Sequence, residues 1–144
     1  MKFSEYSIGQ VHTFGAYLIE ENEILEFANH YDPQWFHTDL EKAKTSPYGA
    51  LISSGWQTCA IAMRLVFDEF LKDSGSIGSP GLAYVKWPKP VFAGDILSAK
   101  VTILNSRQSR SRPNIGILRW QWQLLNAQGE EVLDLEATSF FDLT

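Results

Sequence analysis

The chain has too little positive charge for a protein that binds nucleic acid through its phosphate backbone. Its 144 residues include 12 lysines and arginines against 17 aspartates and glutamates, which gives a formal net charge of −5 at pH 7. Binding to a phosphate backbone requires a basic face on the protein. The charge balance therefore disfavours DNA and RNA as partners.

Cysteine and long apolar runs are also scarce. The one cysteine, Cys59, cannot form an internal disulfide. No run approaches the ~20 apolar residues that span a bilayer, because charged residues interrupt the most apolar segment. The N-terminus lacks the pattern of a signal peptide, which is positive charge followed by an apolar stretch. We expect a protein of the reducing cytoplasm that does not contact a membrane.

Motifs for metals and cofactors are absent too. The histidines, His12, His30 and His37, do not recur with acidic or cysteine residues at the spacing of metal ligands. No glycine-rich loop of the phosphate-binding type is present. The sequence therefore predicts no metal site and no redox cofactor.

Large apolar side chains are abundant, by contrast. Hydrophobic residues make up 44% of the chain and aromatic residues 13%. A chain of this length buries roughly two-thirds of its unfolded surface. No stretch rich in proline, glycine or serine divides it, and no internal repeat is visible. We predict a single domain over residues 1–144.

Apolar periodicity predicts one long helix together with strands. The N-terminal part suggests a strand over residues 10–19, a helix that ends near His30, a loop over 31–38 and a helical turn or two over 39–44. The segment 55–72 is apolar over more than half of its helical circumference, which requires burial on several sides. Ser53 or Ser54 is placed to cap its first turn.

Four further strands are predicted after a loop over 73–81. Short turn sequences separate them, as is typical of antiparallel neighbours in a meander. With the N-terminal strand they form an α+β layout, in which the long helix lies on one face of an antiparallel sheet. The predicted strands are 82–92, 96–106, 115–126 and 131–141.

Two residues of the 31–38 loop are the strongest candidates for catalysis. Asp32 and His37 lie five positions apart in the stretch FANHYDPQWFHTD. A carboxylate and an imidazole held together can share one water molecule: one accepts its proton as the oxygen attacks carbon, and the other positions it or donates a proton. Taken alone, Asp32 is equally typical of a turn before Pro33, and His37 of packing among aromatic residues.

Gly55 begins the long helix, where the first backbone N–H groups have no intrahelical partner and the helix dipole is positive. Addition of water to an α,β-unsaturated thioester moves negative charge onto the thioester oxygen. A backbone donor close to that oxygen stabilises the transition state, and glycine allows close approach. The alternative is that Gly55 only turns the chain into the helix.

Three stretches together resemble the family of MaoC-like dehydratases and (R)-specific enoyl-CoA hydratases. They are FANHYDPQWFHTD, SPYGALISSGW and KWPKPVFAGD, which follow the order and separations of that family over nearly the whole chain. The resemblance implies a hot-dog fold, in which an antiparallel β-sheet wraps around a long central helix. It also implies a homodimer with sheets joined side by side, or a dimer of such dimers.

The activity implied by the resemblance is reversible syn hydration of a trans-2-enoyl-CoA to the (R)-3-hydroxyacyl-CoA. By position, Asp32 and His37 match the family's catalytic pair, which would activate the water and deliver the proton to the carbon next to the carbonyl. The backbone N–H of Gly55 would polarise the thioester oxygen. Coenzyme A enters only as part of the acyl-CoA thioester substrate, and no separate cofactor is implied.

The chain departs from the family pattern at three positions. Gln34 replaces an asparagine that members often have beside the loop proline, and Ser54 replaces a histidine before the glycine. Met63 replaces a serine found on the central helix of some hydratases. We expect the first change to alter how the Asp32 carboxylate is oriented and the others to affect rate or substrate range.

Other residues are candidates for contact with substrate. The lysines could meet the phosphates of coenzyme A, although basic residues at strand ends are usually only solvated. The tryptophans of the helix and strands are typical of core or interface packing, and Cys59 of a small core residue. The predicted substrate-binding residues are Trp35, Ser54, Trp56, Lys86 and Lys89.

Two other functions remain open. A hot-dog thioesterase would cleave the same ligand, but such enzymes usually need a carboxylate on or beside the central helix, and Asp68 and Glu69 lie late on it. A non-catalytic subunit that binds or assembles with acyl thioesters would retain the fold with a weakened site. Acyl chain length, pathway and physiological direction are not predicted.

Overall fold

A five-stranded antiparallel sheet forms from the N-terminal strand and the C-terminal half of the chain. The computed structural model describes residues 1–144. The strands lie in the order β1-β3-β4-β5-β2, and every neighbouring pair is antiparallel. In β3, β4 and β5 buried residues alternate with less buried ones, because one face packs on the core. The strands are β1 (Val11–Leu18), β2 (Ser76–Lys86), β3 (Ile96–Gln108), β4 (Ile115–Leu125) and β5 (Glu131–Asp142).

Four α-helical segments complete the architecture. A 3-10 turn over Phe3–Glu5 precedes β1, and a π-helical turn over Phe67–Leu71 continues the last α-helix. The cap predicted for the long helix is present at Ser54, whose Oγ accepts a hydrogen bond from the Trp56 N–H at 3.3 Å. None of the helices is long and apolar enough to cross a bilayer. The helices are α1 (Glu21–Tyr31), α2 (Trp35–Thr38), α3 (Leu40–Ala43) and α4 (Gly55–Val66).

The hydrophobic core joins α4 to the inner face of the sheet. Ile61, Ala62 and Val66 of α4 belong to one buried cluster with strand residues such as Leu118 and Trp120. Full burial of one large aliphatic or aromatic side chain stabilises the fold by roughly 1.5–3 kcal/mol relative to leaving that side chain exposed. The core therefore fixes α4 on the sheet and, with it, the N-terminal end of that helix.

The position of β2 differs from the prediction. The strand covers 76–86 rather than 82–92, and it pairs with β5 instead of β3, so only β3, β4 and β5 form a meander. The prolines of Trp87-Pro88-Lys89-Pro90 have no N–H for a strand ladder, and β2 therefore ends before them. Residues 76–81, part of the predicted loop over 73–81, form the first half of β2. The strand lies at an exposed edge of the sheet, where apolar alternation is not required.

Two helical predictions were also wrong in detail. Trp35–Thr38 forms a helical turn instead of a loop, and the Thr38 hydroxyl donates back to the carbonyl of Gln34. The helix predicted over 55–72 is α-helical only to Val66, after which a π turn follows. In that wider turn the buried ring of Phe70 packs among other aromatic rings, which the uninterrupted α-helical pattern did not predict.

The apolar stripe of α4 is covered on one side only within a single chain. Trp56, Met63 and Phe67 remain 61%, 42% and 42% exposed. The neighbouring edge strand β2 is exposed along most of its length and includes Ile77 and Leu82. The expected burial on several sides is therefore not reached by one copy of the chain.

Candidate functional site

The fold brings Asp32 and His37 together. Asp32 follows the last residue of α1, Pro33 prevents the helix from continuing, and His37 lies on the short turn α2. The Nε2 atom of His37 lies 3.3 Å from Oδ2 of Asp32. The two side chains are only 6% and 15% exposed. The geometry matches the expected pairing, while a catalytic role for the pair stays a prediction.

His37 is oriented by a backbone carbonyl rather than by a second acid. Its Nδ1 lies 2.7 Å from the carbonyl oxygen of Ile52. Because a carbonyl oxygen can only accept, Nδ1 must carry a hydrogen, and Nε2 is the ring nitrogen that faces Asp32 and can exchange a proton. The backbone of Ile52 is itself held by an N–H bond to the Phe36 carbonyl and by a bridge to Phe92.

The carboxylate of Asp32 accepts a hydrogen bond on each oxygen. Nε2 of Gln34 donates to Oδ1 at 2.8 Å, and Oγ of Ser54 donates to Oδ2 at 2.8 Å. Burial raises the pKa of Asp32, but the hydrogen bonds from Gln34 and Ser54 and the nearby His37 outweigh it, so the net pKa is below the ordinary 3.8. Asp32 is therefore ionised at neutral pH.

Gly55 is the first residue of α4, and its backbone N–H donates no hydrogen bond within the chain, whereas the next three N–H groups are all satisfied by Ser54. Trp87 lies directly against it: Nε1 of the indole donates to the Gly55 carbonyl at 3.0 Å. A Cβ at position 55 would lie 2.5 Å from the Trp87 ring. Glycine is thus required at position 55 because the Trp87 ring lies so close to its Cα, and not because the backbone there has an unusual φ.

Asp32, His37 and Gly55 line the same cavity, which has a volume of about 410 Å³. This size lies within the usual range of small-molecule sites. Two larger hollows elsewhere on the surface contain neither Asp32 nor His37. Other residues that line the cavity include Tyr48, Trp56, Trp87, Lys89, Val91 and Val132.

A second cavity, of about 300 Å³, lies further along α4. It is mainly apolar and is enclosed between α4 and strands β2, β4 and β5. Cys59 and Met63 lie on the helical stripe that begins at Gly55 and Trp56, so the two cavities adjoin the same face of α4. The lining residues include Cys59, Met63, Leu82, Trp122 and Leu135.

The other predicted site residues divide into two groups. Trp56 and Lys89 line the cavity, and Nζ of Lys89 lies 3.3 Å from Oε2 of Glu130. Ser54 is fully buried and lies next to the cavity, with its hydroxyl hydrogen directed to Asp32. These residues therefore lie at or next to the cavity that the candidate pair lines.

Trp35 and Lys86 do not line the cavity. Trp35 precedes His37 by two positions on a helical turn, so it faces the other way, where Lys42 covers its ring at 5.1 Å. Lys86 ends β2 and its Nζ lies 5.1 Å from the Tyr84 ring. The turn that follows β2 carries Lys89 to the cavity instead. Within one chain, contact of Trp35 or Lys86 with substrate is therefore not supported.

The position of Trp87 was not predicted. Its sequence context is typical of core or interface packing, but the half-exposed ring lies on Gly55 at the cavity and meets Trp56 edge to face at 5.5 Å. The only sequence signal was its place in the stretch KWPKPVFAGD.

No group of three or more histidine, cysteine, aspartate or glutamate side chains is arranged for a metal ion.

Comparison with known proteins relates the chain to others of similar sequence. A family model described as MaoC like domain matches residues 4–117. The chain is 33% identical to the uncharacterized protein YdeM of Bacillus subtilis over 82% of each chain. It is 31% identical to 3-hydroxyacyl-thioester dehydratase Z of Mycobacterium tuberculosis, over 60% of this chain and 58% of that protein. The match therefore leaves more than a third of that dehydratase unaligned.

A solved structure has the same architecture. The crystal structure of a MaoC-like dehydratase from Rhodospirillum rubrum superposes with a TM-score of 0.89 at 33% identity. The superposition covers 99% of this chain and 97% of that one. The predicted α+β hot-dog fold is confirmed.

Proposed function

The chain belongs to the family of MaoC-like domains, and on that premise we propose that it reversibly hydrates a trans-2-enoyl-CoA to the (R)-3-hydroxyacyl-CoA. The observation that carries the proposal is the 3.3 Å approach of Asp32 Oδ2 and His37 Nε2 at a cavity that also reaches Gly55. The similarity to a 3-hydroxyacyl-thioester dehydratase supports this substrate class.

The pair can activate one water molecule. A water molecule has two O–H donors: one can donate to the ionised carboxylate of Asp32 and, when Nε2 of His37 carries no proton, the other can donate to that nitrogen. This leaves an oxygen lone pair free to attack C3 of the enoyl group. As the O–C3 bond forms, the pair accepts one proton from the water, and the electrons of the C2–C3 double bond move toward the thioester oxygen.

The second half of the reaction returns a proton to carbon. When the enolate collapses, its electrons form a bond from C2 to the proton held by the pair, and the net result is addition of H and OH. Both groups arrive from the same side, which makes the addition syn. The Gly55 N–H stabilises the charge on the thioester oxygen in between, and one such donor is worth about 3 kcal/mol.

Substrate binding is proposed to follow α4. We place the thioester at Gly55, the acyl chain in the apolar cavity at Cys59 and Met63, and the coenzyme A arm near Trp56 and Lys89. The apolar cavity suits a hydrocarbon chain because it offers mainly apolar lining. No cofactor besides the coenzyme A of the substrate is required.

A second copy of this chain is the proposed partner. Its contact would cover the exposed stripe of α4 and the edge strand β2, where a single copy leaves apolar side chains and unpaired backbone groups in water. We expect light scattering to give at least twice the monomer mass for the wild-type chain. For Leu82→Lys we expect the mass of a single monomer. Ile8→Lys, which alters an exposed apolar residue outside α4 and β2, is the control.

The hydration proposal is tested with crotonyl-CoA. The wild-type protein should consume the enoyl absorbance without releasing free thiol, and Asp32→Asn and His37→Ala should each reduce kcat/KM by about 10²–10⁴-fold. Asp39→Asn and His30→Ala are matched controls on exposed positions, and both should retain activity.

The alternatives predict other outcomes. Release of free thiol at the rate of absorbance loss would indicate a thioesterase, and tight binding without turnover a non-catalytic subunit. Either result, or full activity in Asp32→Asn and His37→Ala, contradicts the proposal.

A further inference from the structure

Two positions at which the chain departs from the family pattern both contact the same carboxylate. Gln34 donates to Oδ1 of Asp32 and Ser54 donates to Oδ2, each at 2.8 Å. Gln34 is a local neighbour, whereas Ser54 is 22 positions away in sequence. The terminal torsion angle of an aspartate side chain has a broad distribution, so a carboxylate that is hydrogen-bonded at one oxygen only can still rotate. Two donors on different oxygens fix its plane.

Ser54 also connects the two parts of the site. Its Oγ accepts from the N–H of Trp56, its carbonyl accepts from Gln57 and Thr58, and its hydroxyl hydrogen goes to Asp32. A hydroxyl has one hydrogen only, so this donor is not free for substrate. The same residue therefore fixes the first turn of α4, which carries Gly55, and the carboxylate that faces His37.

We propose that Ser54 and Gln34 are positioning residues that hold the Asp32 carboxylate in the plane required for water activation. The inference deepens the proposed hydration and depends on it for its kinetic consequences. It replaces the substrate-binding role predicted for Ser54, because that residue is fully buried and its hydroxyl donates to the carboxylate.

The charges around Asp32 make the effect of these two bonds measurable. His37 faces its Oδ2, and the other titratable groups of the cavity are Tyr48 and Lys89, of which Lys89 is paired with Glu130. Donors to a carboxylate favour its ionised form. Loss of one donor should therefore raise the pKa of Asp32, and activity that needs the ionised form should be lost at a higher pH than in the wild type.

The test compares Ser54→Ala, Ser54→Gly and Ser54→Thr. Alanine removes both the donor to Asp32 and the helix cap, which destabilises the helix, whereas glycine at a cap position is nearly neutral for stability. Threonine retains the hydroxyl. If the alanine and glycine variants lose activity equally and the threonine variant retains it, the loss of activity does not come from a less stable helix. Ser74→Ala is the control, since Ser74 is also a buried serine and bonds only backbone groups.

Kinetic measurements should show a specific pattern. For Ser54→Ala and Ser54→Gly, kcat should fall about tenfold, the value of one hydrogen bond to a charged group. KM should stay unchanged, and the acidic limb of the kcat/KM profile should move up by about one pH unit. Gln34→Leu should give the same direction of change. An unchanged profile in a folded Ser54→Gly variant, or a change in KM alone, would overturn the inference.

A second readout separates this inference from the proposed function. The ¹³C resonance of the Asp32 carboxyl, identified by its loss in Asp32→Asn, reports the pKa of that group without any turnover. If the wild-type protein does not hydrate crotonyl-CoA, the proposed function fails. A higher pKa of Asp32 in Ser54→Gly than in wild type would still support the positioning bonds, and an unchanged pKa would refute them.

Discussion

The two ends of α4 lie in opposite surroundings. At the N-terminal end, Ser54 and Gly55 meet a carboxylate and a half-exposed indole, and one backbone N–H is left without a partner. At the C-terminal end, the π turn buries Phe70 against the rings of Tyr6 and Trp120. The comparison indicates that the helix is anchored to the core at one end and presents the polar groups of the candidate site at the other.

The largest expected effect is on stability at the anchored end. Phe70→Ala should lower the free energy of unfolding by about 3–5 kcal/mol, because it removes a buried ring from a packed aromatic cluster. Urea denaturation measures the change. Ile8→Ala, at an exposed position, should cost less than about 1 kcal/mol. Equal costs for the two variants would mean that the π turn does not anchor the helix.

The next effect is on activity at the other end. Gly55→Ala should reduce kcat/KM about a hundredfold, since the added methyl would lie 2.5 Å from the Trp87 ring and must displace the ring or the helix terminus. The free energy of unfolding should also fall, by about 1–3 kcal/mol, because a methyl group forced into this contact strains its neighbours. The double variant with Trp87→Ala should lose less than the product of the single losses. Independent losses would show that the two residues do not compete for space.

A smaller effect is expected for the coenzyme A arm. Lys89→Ala should raise KM about threefold at low salt with kcat unchanged, and the difference should shrink as salt is added, because exposed charges are screened. Lys86→Ala is the matched control, because Lys86 does not line the cavity. A larger change in Lys86→Ala than in Lys89→Ala would contradict the position assigned to the arm.

The smallest effect concerns acid stability. The folded-state pKa of Asp32 lies below its ordinary value of 3.8, so ionised Asp32 stabilises the fold at neutral pH, and this contribution is lost as the pH falls through 3.8 to the folded-state pKa. The difference in unfolding free energy between wild type and Asp32→Asn should therefore shrink with acidification. Urea titrations at a series of pH values measure it, and a constant difference would contradict the lowered pKa.

Much of the fold was predictable because its determinants are local. The apolar stripe of α4 predicted its start at Gly55, and the strand patterns of β3, β4 and β5 gave nearly correct boundaries, since one face of each element is buried. The strand β2 was misplaced because an exposed edge carries no such alternation and because its pairing with β5 depends on a crossover. Partner choice among strands is a tertiary property.

The candidate site was predictable to the same degree. Asp32, His37 and Gly55 could be named from their loop and helix positions together with the resemblance to the MaoC-like family, and they meet at one cavity. The contact of Trp87 with Gly55 could not be derived, because it joins segments 32 positions apart. The opposite directions of Trp35 and His37 were missed because the sequence did not reveal the helical turn that separates them.

The shared position of Trp56 has a consequence for regulation by concentration. Its ring lines the cavity and also lies on the stripe of α4 that a second copy is proposed to cover. If a second copy holds the Trp56 ring in its position at the cavity, association and substrate binding are linked equilibria, and each strengthens the other by the same factor. Specific activity would then fall on dilution, and saturating substrate would keep the copies together at concentrations where the free protein dissociates.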